Sequence, residues 1–181
     1  MSRVRSLSRM LAVSAVAAAA TLTLTQAAHA EPAGPSLPPG SPIAVPDGNK
    51  VFLEGHATGV QIYKCNSSST WEFVAPRADL VGDNGKLVVT NFGGPTWQAL
   101  DGSTVVGHRV NGVTPDTSAI PWLLLDAKST SGDGVFGQTA SIQRARTIGG
   151  KAPRQGCGPA QAGDETRVPY KAIYYFYIAT R

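Results

Sequence analysis

Five side chains in the middle of the chain have the chemical character of a binding site. They are Trp97, Asp101, His108, Trp122 and Arg144. An indole can stack against a flat ligand such as a sugar ring, while Asp, His and Arg provide acceptors, donors and charge. Each also has a structural explanation, because large aromatics fill cores, Asp-Gly favours a type I′ hairpin turn and a strand arginine can pair with a neighbouring acid. The sequence therefore predicts candidate ligand-binding residues without assigning a catalytic one.

Hydrolytic catalysis lacks a recognisable sequence pattern. There is no G-x-S-x-G motif, and His56 and His108 are the only histidines after residue 30. Ser103, His108 and Asp126 could be combined into a triad, but a chain of this size offers many such trios. The scattered acids do not single out the two carboxylates that a glycosidase needs. The alternative to a binding protein is therefore a hydrolase whose catalytic candidates are Asp101, His108, Asp126 and Arg144.

A nucleotide or metal cofactor is not expected. The stretch "GDGVFG", residues 132–137, matches G-x-G-x-x-G, but no helical pattern follows it, and a dinucleotide site needs the helix N-terminus there. The next acid after Gly137 is Asp164, beyond the spacing of about 20 residues that the motif requires. We interpret 132–137 as a glycine-rich turn. The chain has too few His and Cys for a zinc site and no H-E-x-x-H motif, so no metal is predicted.

The two cysteines, Cys65 and Cys157, are predicted to form a disulfide. An isolated pair in an exported chain is more often bridged than free. Two buried thiols are the first alternative, and a reactive or metal-binding thiol is the second.

The N-terminus has the pattern of a signal peptide over residues 1–30. Arg3, Arg5 and Arg9 precede an apolar run, which ends at the A-x-A sequence that closes with Ala30. The run of about 15 residues is shorter than the roughly 20 that span a bilayer. We therefore predict cleavage after Ala30, a secreted product and no stable membrane insertion, with a membrane anchor as the alternative.

Charge gives little support for a nucleic-acid partner. The whole chain has 16 Lys+Arg and 12 Asp+Glu. Three of the arginines and none of the acids lie in the predicted leader, so 13 basic residues face 12 acids in the remainder. Nucleic-acid binding needs clustered Lys and Arg that displace counterions, and we predict no nucleic-acid partner.

The rest of the chain divides into a Pro-rich flexible tail, 31–48, and a single β-rich domain, 49–181. Short apolar runs alternate with Gly, Pro and Asn/Asp turns, which is typical of an all-β antiparallel sandwich or barrel-like fold with long loops. The expected strands lie near 50–53, 59–65, 70–75, 85–92, 95–100, 103–110, 120–127, 135–147 and 168–180. A helix over 138–146 is the alternative for that segment. The run 168–180 is apolar on both faces, with Tyr170, Ala172, Tyr174, Phe176 and Ile178 on one and Ile173, Tyr175 and Tyr177 on the other.

Several stretches occur in an order that resembles a known family. They are "GVQIYKC", "WEFVAPRADL", "GGPTWQALDGSTVVG", "IPWLLLDA", "SIQRARTIGGKAP", "GC" and "VPYKAIYYFY". Together they resemble the DUF3455 family of secreted proteins, a domain of unknown function, over most of 50–178. The resemblance implies no established activity, substrate or cofactor. In that family a histidine often precedes the Phe-x-Gly-Pro-Thr-Trp segment, where this sequence has Asn91, so a catalytic role of that histidine would be missing here.

These observations favour a secreted, soluble β-domain that binds an extracellular ligand, with a polysaccharide as the suggested ligand. An extracellular enzyme and an envelope protein-interaction module are the alternatives. The sequence does not predict the oligomeric state.

Overall fold

The described part of the chain folds into eight strands and one short 3-10 helix. The computed structural model describes residues 32–180, so the predicted signal peptide, 1–30, lies outside the described residues. The elements are β1 (Asn49–Cys65), β2 (Trp71–Val81), β3 (Leu87–Phe92), β4 (Thr96–Ala99), β5 (Thr104–Val113), β6 (Trp122–Ser131), β7 (Thr139–Gly149), the 3-10 helix (Pro159–Gln161) and β8 (Glu165–Ala179). Within this part of the chain, no helix has the length and apolar character needed to cross a membrane.

The strands form one antiparallel sheet that closes on itself. Each strand pairs with the next one along the chain, and β8 returns to pair with β1. The all-β antiparallel prediction is confirmed, in its barrel-like rather than its sandwich form. The ring is not a regular barrel, because β1 and β8 pair along nearly their whole lengths whereas β4 has 4 residues.

Strand β1 is longer than the sequence predicts. The runs near 50–53 and 59–65 belong to one strand that also contains Gly55 and Gly59. A Cβ atom on Gly59 would lie 2.1 Å from the carbonyl oxygen of Arg77 on β2. The glycine therefore allows close approach of the two strands instead of ending one of them.

Strand β7 occupies the segment 138–146, for which a helix was the alternative. Its side chains alternate between the two faces of the sheet, as strand geometry requires. Ile142 packs inside the ring, whereas Ala145 belongs to a cluster on the outer face. Backbone pairing with β6 on one side and β8 on the other fixes this arrangement.

The two apolar faces predicted for β8 are confirmed. Inside the ring lie Tyr170, Ala172, Tyr174 and Phe176. On the outer face lie Ile173, Tyr175 and Tyr177, with Val45 and Trp122 packed beside them. Within the predicted tail, Ile43 is fully buried, and its carbonyl oxygen accepts a hydrogen bond from Gln143 Nε2 at 2.5 Å.

The up-and-down order places alternate connections at the same end of the ring. The Phe136 end is defined by the connections 82–86, 100–103 and 132–138. The pocket end is defined by the connections 66–70, 93–95, 114–121 and 150–164.

The Phe136 end is filled by one aromatic ring, and several of its polar groups are hydrogen-bonded, although Thr139 Oγ1 at the start of β7 has no partner among residues 32–180. Phe136 is fully buried, with its ring centroid 4.8 Å from that of Phe176. The backbone N–H of Phe136 donates to Ser103 Oγ at 3.1 Å, and Ser103 Oγ donates to Asp101 Oδ1 at 2.6 Å. The N–H of Val135 donates to Asp101 Oδ2 at 2.7 Å. These contacts bind the β6–β7 loop to the β4–β5 turn.

The β4–β5 hairpin forms as predicted, but the expected type I′ turn is wrong. That turn needs positive φ at both central residues, and here Gly102 has φ +85° while Asp101 is not among the positive-φ residues. The N–H of Gly102 donates to Ala99 O at 3.0 Å, and the N–H of Ala99 donates to Ser103 O at 3.0 Å. The longer loop frees the Asp101 carboxylate for the β6–β7 loop.

The predicted disulfide between Cys65 and Cys157 is present, with a Cα–Cα distance of 5.9 Å. It joins the end of β1 to the 150–164 connection at the pocket end. Closing a loop of 92 positions stabilises the fold by about 4–5 kcal/mol in the chain-entropy description.

Candidate functional site

A pocket of about 440 Å³ lies at the pocket end of the ring. Its volume falls within the range of roughly 300–1,000 Å³ that is typical of small-molecule sites. Its apolar wall includes Phe73, Val74, Trp97, Ile120, Leu123 and Leu125, and its polar groups include Gln61, Asn91, Arg109 and Arg144. Among the described residues, no Asp or Glu lines this pocket. The site therefore combines an apolar wall with an excess of positive charge.

Trp97 on β4 reaches into the ring interior and is 2% exposed. Its ring contacts Tyr174 edge-on at a centroid distance of 5.5 Å and Phe176 at 6.1 Å. On β5, a Cβ atom on Gly107 would lie 2.9 Å from Cζ3 of the indole. The glycine thus provides space for the indole, which these neighbours hold in place.

Two buried N–H donors in this pocket lack an acceptor. Gln61 Nε2 on β1 and Trp97 Nε1 have no hydrogen-bond partner among residues 32–180. Gln61 is 3% exposed, so its amide group is shielded from bulk water. A buried donor left without a partner costs about 1–3 kcal/mol. Both atoms are buried, so an acceptor in the pocket would reach them only after a side-chain rearrangement.

Arg144 supplies a cation that is held in place without being neutralised. Its Nε and Nη2 donate to the carbonyl oxygen of Pro121 at 3.1 Å and 2.9 Å. It makes no ion pair with a carboxylate of the described chain. Its positive charge acts to lower the pKa of Tyr63 and Tyr170, but burial is the larger effect and raises the pKa of both.

A short polar chain lies beneath the pocket wall. Tyr170 Oη donates to Asn91 Oδ1 at 3.5 Å and lies 3.4 Å from Tyr174 Oη. Asn91 Nδ2 donates to the carbonyl oxygen of Thr96 at 3.0 Å. Asn91 is 1% exposed, and it occupies the place where the resembled family often has a histidine. Asn91 therefore belongs to the pocket.

The five residues predicted from sequence do not come together in one site. Trp97 and Arg144 both line the pocket. Asp101 lies at the Phe136 end, where hydrogen bonds from the Ser103 side chain, the Val135 N–H and the Ser103 N–H hold its pKa below the usual value. These contacts show that Asp101 links the β4–β5 turn to the β6–β7 loop.

The other two candidates lie on the outside of the ring. His108 is exposed on β5, directly opposite Asp126 on β6. Trp122 is half-buried and packs on the outer face of the ring with Val45 and Ile173. Ser103 is at the Phe136 end, hydrogen-bonded to an aspartate and to the loop, so the triad considered from sequence does not assemble there.

Sequence reasoning missed two polar residues of the pocket, Gln61 and Arg109. Gln61 stands in the apolar run "GVQIYKC" two positions before Tyr63, so the two side chains share the inner face of β1. A polar residue at an inward position was the available signal. Arg109 carries no such signal, because exposed arginines are common on strand surfaces.

One cluster outside the pocket has the residue types of a metal site. Ligand atoms of Glu54, His56 and Asp83 lie within 4.8 Å of one another. His56 Nε2 is 3.4 Å from Glu54 Oε1 and 3.2 Å from Asp83 Oδ1. Burial raises the pKa of Glu54 against the opposing charge of His56. Contacts of the imidazole with both carboxylates account for this half-exposed cluster without a cation.

The glycine motif at 132–137 lies in the loop between β6 and β7. Gly132 has φ +81°, and the motif runs into strand β7 rather than a helix. It therefore offers no helix N-terminus to a dinucleotide, and its Phe136 seals the ring.

The fold and the pocket define an eight-stranded antiparallel ring with a site of small-molecule size at one end. The chain belongs to the family described as "Protein of unknown function (DUF3455)", which it matches over residues 46–178. That range contains β1 to β7 and nearly all of β8, and the match confirms the resemblance seen in the sequence. Comparisons with curated proteins and with solved structures give no match.

Proposed function

We propose that this protein is a secreted binding protein that holds one small molecule at the pocket end of its ring. The observation that carries this proposal is a concave pocket with an apolar wall and two arginines, Arg109 and Arg144, in which no described lining residue is acidic. A ligand with a hydrogen-bond acceptor would bind the N–H groups of Arg144 that Pro121 O does not use. Its apolar part would then pack against the side chains of Leu123, Leu125 and their neighbours.

A small molecule is favoured over the polysaccharide suggested by the sequence. Sugar polymers are bound by exposed aromatic faces on which successive rings stack, but Trp97 is 2% exposed. Phe73, which is 52% exposed at the rim, offers a single ring of this kind. A concave pocket of this volume suits one ligand molecule better than a chain.

Export is part of the proposal. It is supported by the leader pattern of residues 1–30 and by the disulfide between Cys65 and Cys157, a bond that persists in oxidising compartments.

An extracellular hydrolase is the less favoured function. Of the polar residues considered for catalysis, Asp101, His108 and Asp126 lie outside the pocket, and only Arg144 lines it. A hydrolytic mechanism needs a nucleophile and a base within hydrogen-bonding reach of one substrate, and these positions do not provide that arrangement.

The test is a ligand-observed NMR screen of small molecules, with insoluble polysaccharide pulldown as a comparison arm. Val74 and Val110 are matched positions, 49% and 51% exposed on strands, but only Val74 lines the pocket. We expect ligands that bind the native protein and V110W equally, and bind V74W at least about tenfold more weakly because the indole fills the mouth. Absence of any small-molecule ligand, or equal binding by V74W, would overturn the proposal.

A further inference from the structure

We infer that the ligand is an amphipathic monocarboxylate, a small molecule with one carboxylate group and an apolar body. This inference rests on the proposed function and adds the chemistry of its ligand. Its basis is that two arginines, Arg109 and Arg144, line an otherwise mainly apolar pocket, in which no described lining residue is acidic.

The available polar groups of the pocket are mainly donors. Tyr63 Oη already donates to the carbonyl oxygen of Gly150 at 2.6 Å, and Asn91 Nδ2 is bonded to Thr96. The N–H groups of Arg144 that do not bond to Pro121 O, and those of Arg109, remain available to an acceptor. An ionised carboxylate accepts hydrogen bonds and donates none, so it complements this set better than a hydroxyl or an ammonium group does.

Arg144 is oriented for such a group. Its two hydrogen bonds to Pro121 O fix the guanidinium plane and use one N–H from each of Nε and Nη2. A guanidinium has five N–H donors, so others stay free for a ligand. The planar group matches a carboxylate in a bidentate geometry, and no carboxylate in residues 32–180 competes for it.

Arg109 provides a second cation on the neighbouring wall. It is exposed on β5 and lines the same pocket. A Cβ atom on Gly112 would lie 2.8 Å from Arg109 Nη2, so the glycine gives this side chain room to lie along the strand. Because Arg109 is exposed, its substitution tests charge with little risk to folding.

A monoanion with an apolar body fits better than a small dianion. Leu123, Leu125 and Ile120 form part of the wall, and each charge taken from water into such surroundings carries a desolvation cost. The body of the ligand recovers free energy by covering this apolar surface. The pocket therefore favours carboxylates with an aliphatic or aromatic body over inorganic anions.

The experiment measures binding of matched probes by isothermal titration calorimetry. The pairs are octanoate with octanamide and 3-phenylpropanoate with its amide, and octyl phosphate is a third head group. We expect each carboxylate to bind at least about tenfold more tightly than its amide, since charge-assisted hydrogen bonds are roughly twice as strong. Added salt should reduce this preference through screening of the exposed Arg109.

The variants assign the preference to the two arginines. R144Q and R109Q should each reduce the ratio of carboxylate to amide affinity severalfold, whereas R167Q, an exposed arginine on β8 outside the pocket, should leave it unchanged. Thermal melting checks that each variant is folded. If R144Q is unfolded, R109Q decides the result.

The outcomes separate this inference from the proposed function. Equal binding of amides and carboxylates, or an unchanged preference in the folded arginine variants, would overturn the monocarboxylate while a small-molecule pocket would stand. Tighter binding of octyl phosphate than of octanoate would also overturn it. Binding of none of these probes, while V74W-sensitive neutral ligands emerge from the screen, would refute it as well.

Discussion

The two ends of the ring differ in how their interiors are filled and in how their polar groups are bonded. At the Phe136 end, Ser103 and Asp101 are hydrogen-bonded to each other and to the β6–β7 loop, and Phe136 fills the interior. At the pocket end, two buried donors lack partners and the interior is open as a cavity of about 440 Å³. Thr139 Oγ1, at the start of β7, also lacks a partner among the described residues. The open cavity and its two arginines, rather than unpartnered groups alone, therefore mark the pocket end as the candidate binding site.

The comparison also explains why the ends differ in their connections. Short turns and a bonded loop close the Phe136 end, while the pocket end carries the long 114–121 and 150–164 connections. The latter is held to β1 by the Cys65–Cys157 bond. Backbone hydrogen bonds between Cys65 and residues 163 and 164 hold the same connection, so the covalent link reinforces these contacts.

The largest expected effect is the loss of that link. Replacing Cys65 and Cys157 together by Ser should lower the free energy of unfolding by about 4–5 kcal/mol, because a long loop in the unfolded chain is no longer closed. Urea unfolding of the variant and of the native protein measures the difference. If the free energy of unfolding falls by less than about 1 kcal/mol, noncovalent contacts hold the pocket end as firmly as the Phe136 end.

Removing the aromatic side chain of Phe136, which seals the other end, should lower the free energy of unfolding by nearly as much. Phe136→Ala should lower the free energy of unfolding by about 3–5 kcal/mol, since it deletes a fully buried aromatic and leaves a cavity. Phe73→Ala is the matched control, because Phe73 is 52% exposed at the pocket rim. Similar losses for the two phenylalanines in urea titration would contradict the distinction between a sealed end and an open one.

A matched pair of polar deletions sharpens the comparison further. Ser103→Ala should cost about 1–3 kcal/mol, because it leaves the buried N–H of Phe136 without an acceptor. Gln61→Leu should change stability by less than about 1 kcal/mol, because the donor it removes has no partner to lose. Urea unfolding of both variants gives the two values. A larger loss for Gln61→Leu than for Ser103→Ala would reverse the assignment of the two ends.

The smallest effect concerns alkaline pH. Burial raises the pKa of Tyr170 above its ordinary value of 10.0, so its stabilisation is complete below pH 10 and declines as the pH rises towards the folded-state pKa. From pH 10 to 11, this residue should lower the free energy of unfolding by about 1 kcal/mol, because the unfolded-state tyrosine is half ionised at pH 10 and the slope approaches about 1.4 kcal/mol per pH unit only above pH 11. Tyr170→Phe should reduce the slope of unfolding free energy against pH between 10 and 11. An unchanged slope would contradict the inferred ionisation behaviour.

Much of the fold could be predicted because local rules control it. The strand period placed Tyr174 and Tyr175 on opposite faces of β8, and turn residues marked most strand ends. Prediction was wrong where a tertiary contact decides the conformation. Residues 54–58 were left out of the predicted strands but continue β1 through pairing with β2 and β8, and the side chain of Asp101 supports a longer turn by bonding to a loop 34 residues away.

The candidate site was less predictable than the fold. Trp97 and Arg144 could be selected by residue type, but their shared pocket depends on the closure of β8 against β1, which no local pattern encodes. Gln61 becomes notable only once its lack of a partner is known. His108 and Trp122 have equally suitable chemistry, and only the curvature of the sheet places them outside.

The most direct test of the pocket is the indole N–H resonance of Trp97 in a ¹H–¹⁵N NMR titration. Trp71 and Trp122 are internal controls, because neither lines the pocket. On addition of octanoate, we predict that the Trp97 Nε1–H signal, assigned with W97F, shifts with saturation while the other two indole signals stay in place. If calorimetry shows that a ligand binds and the Trp97 signal nevertheless stays in place, the account is contradicted.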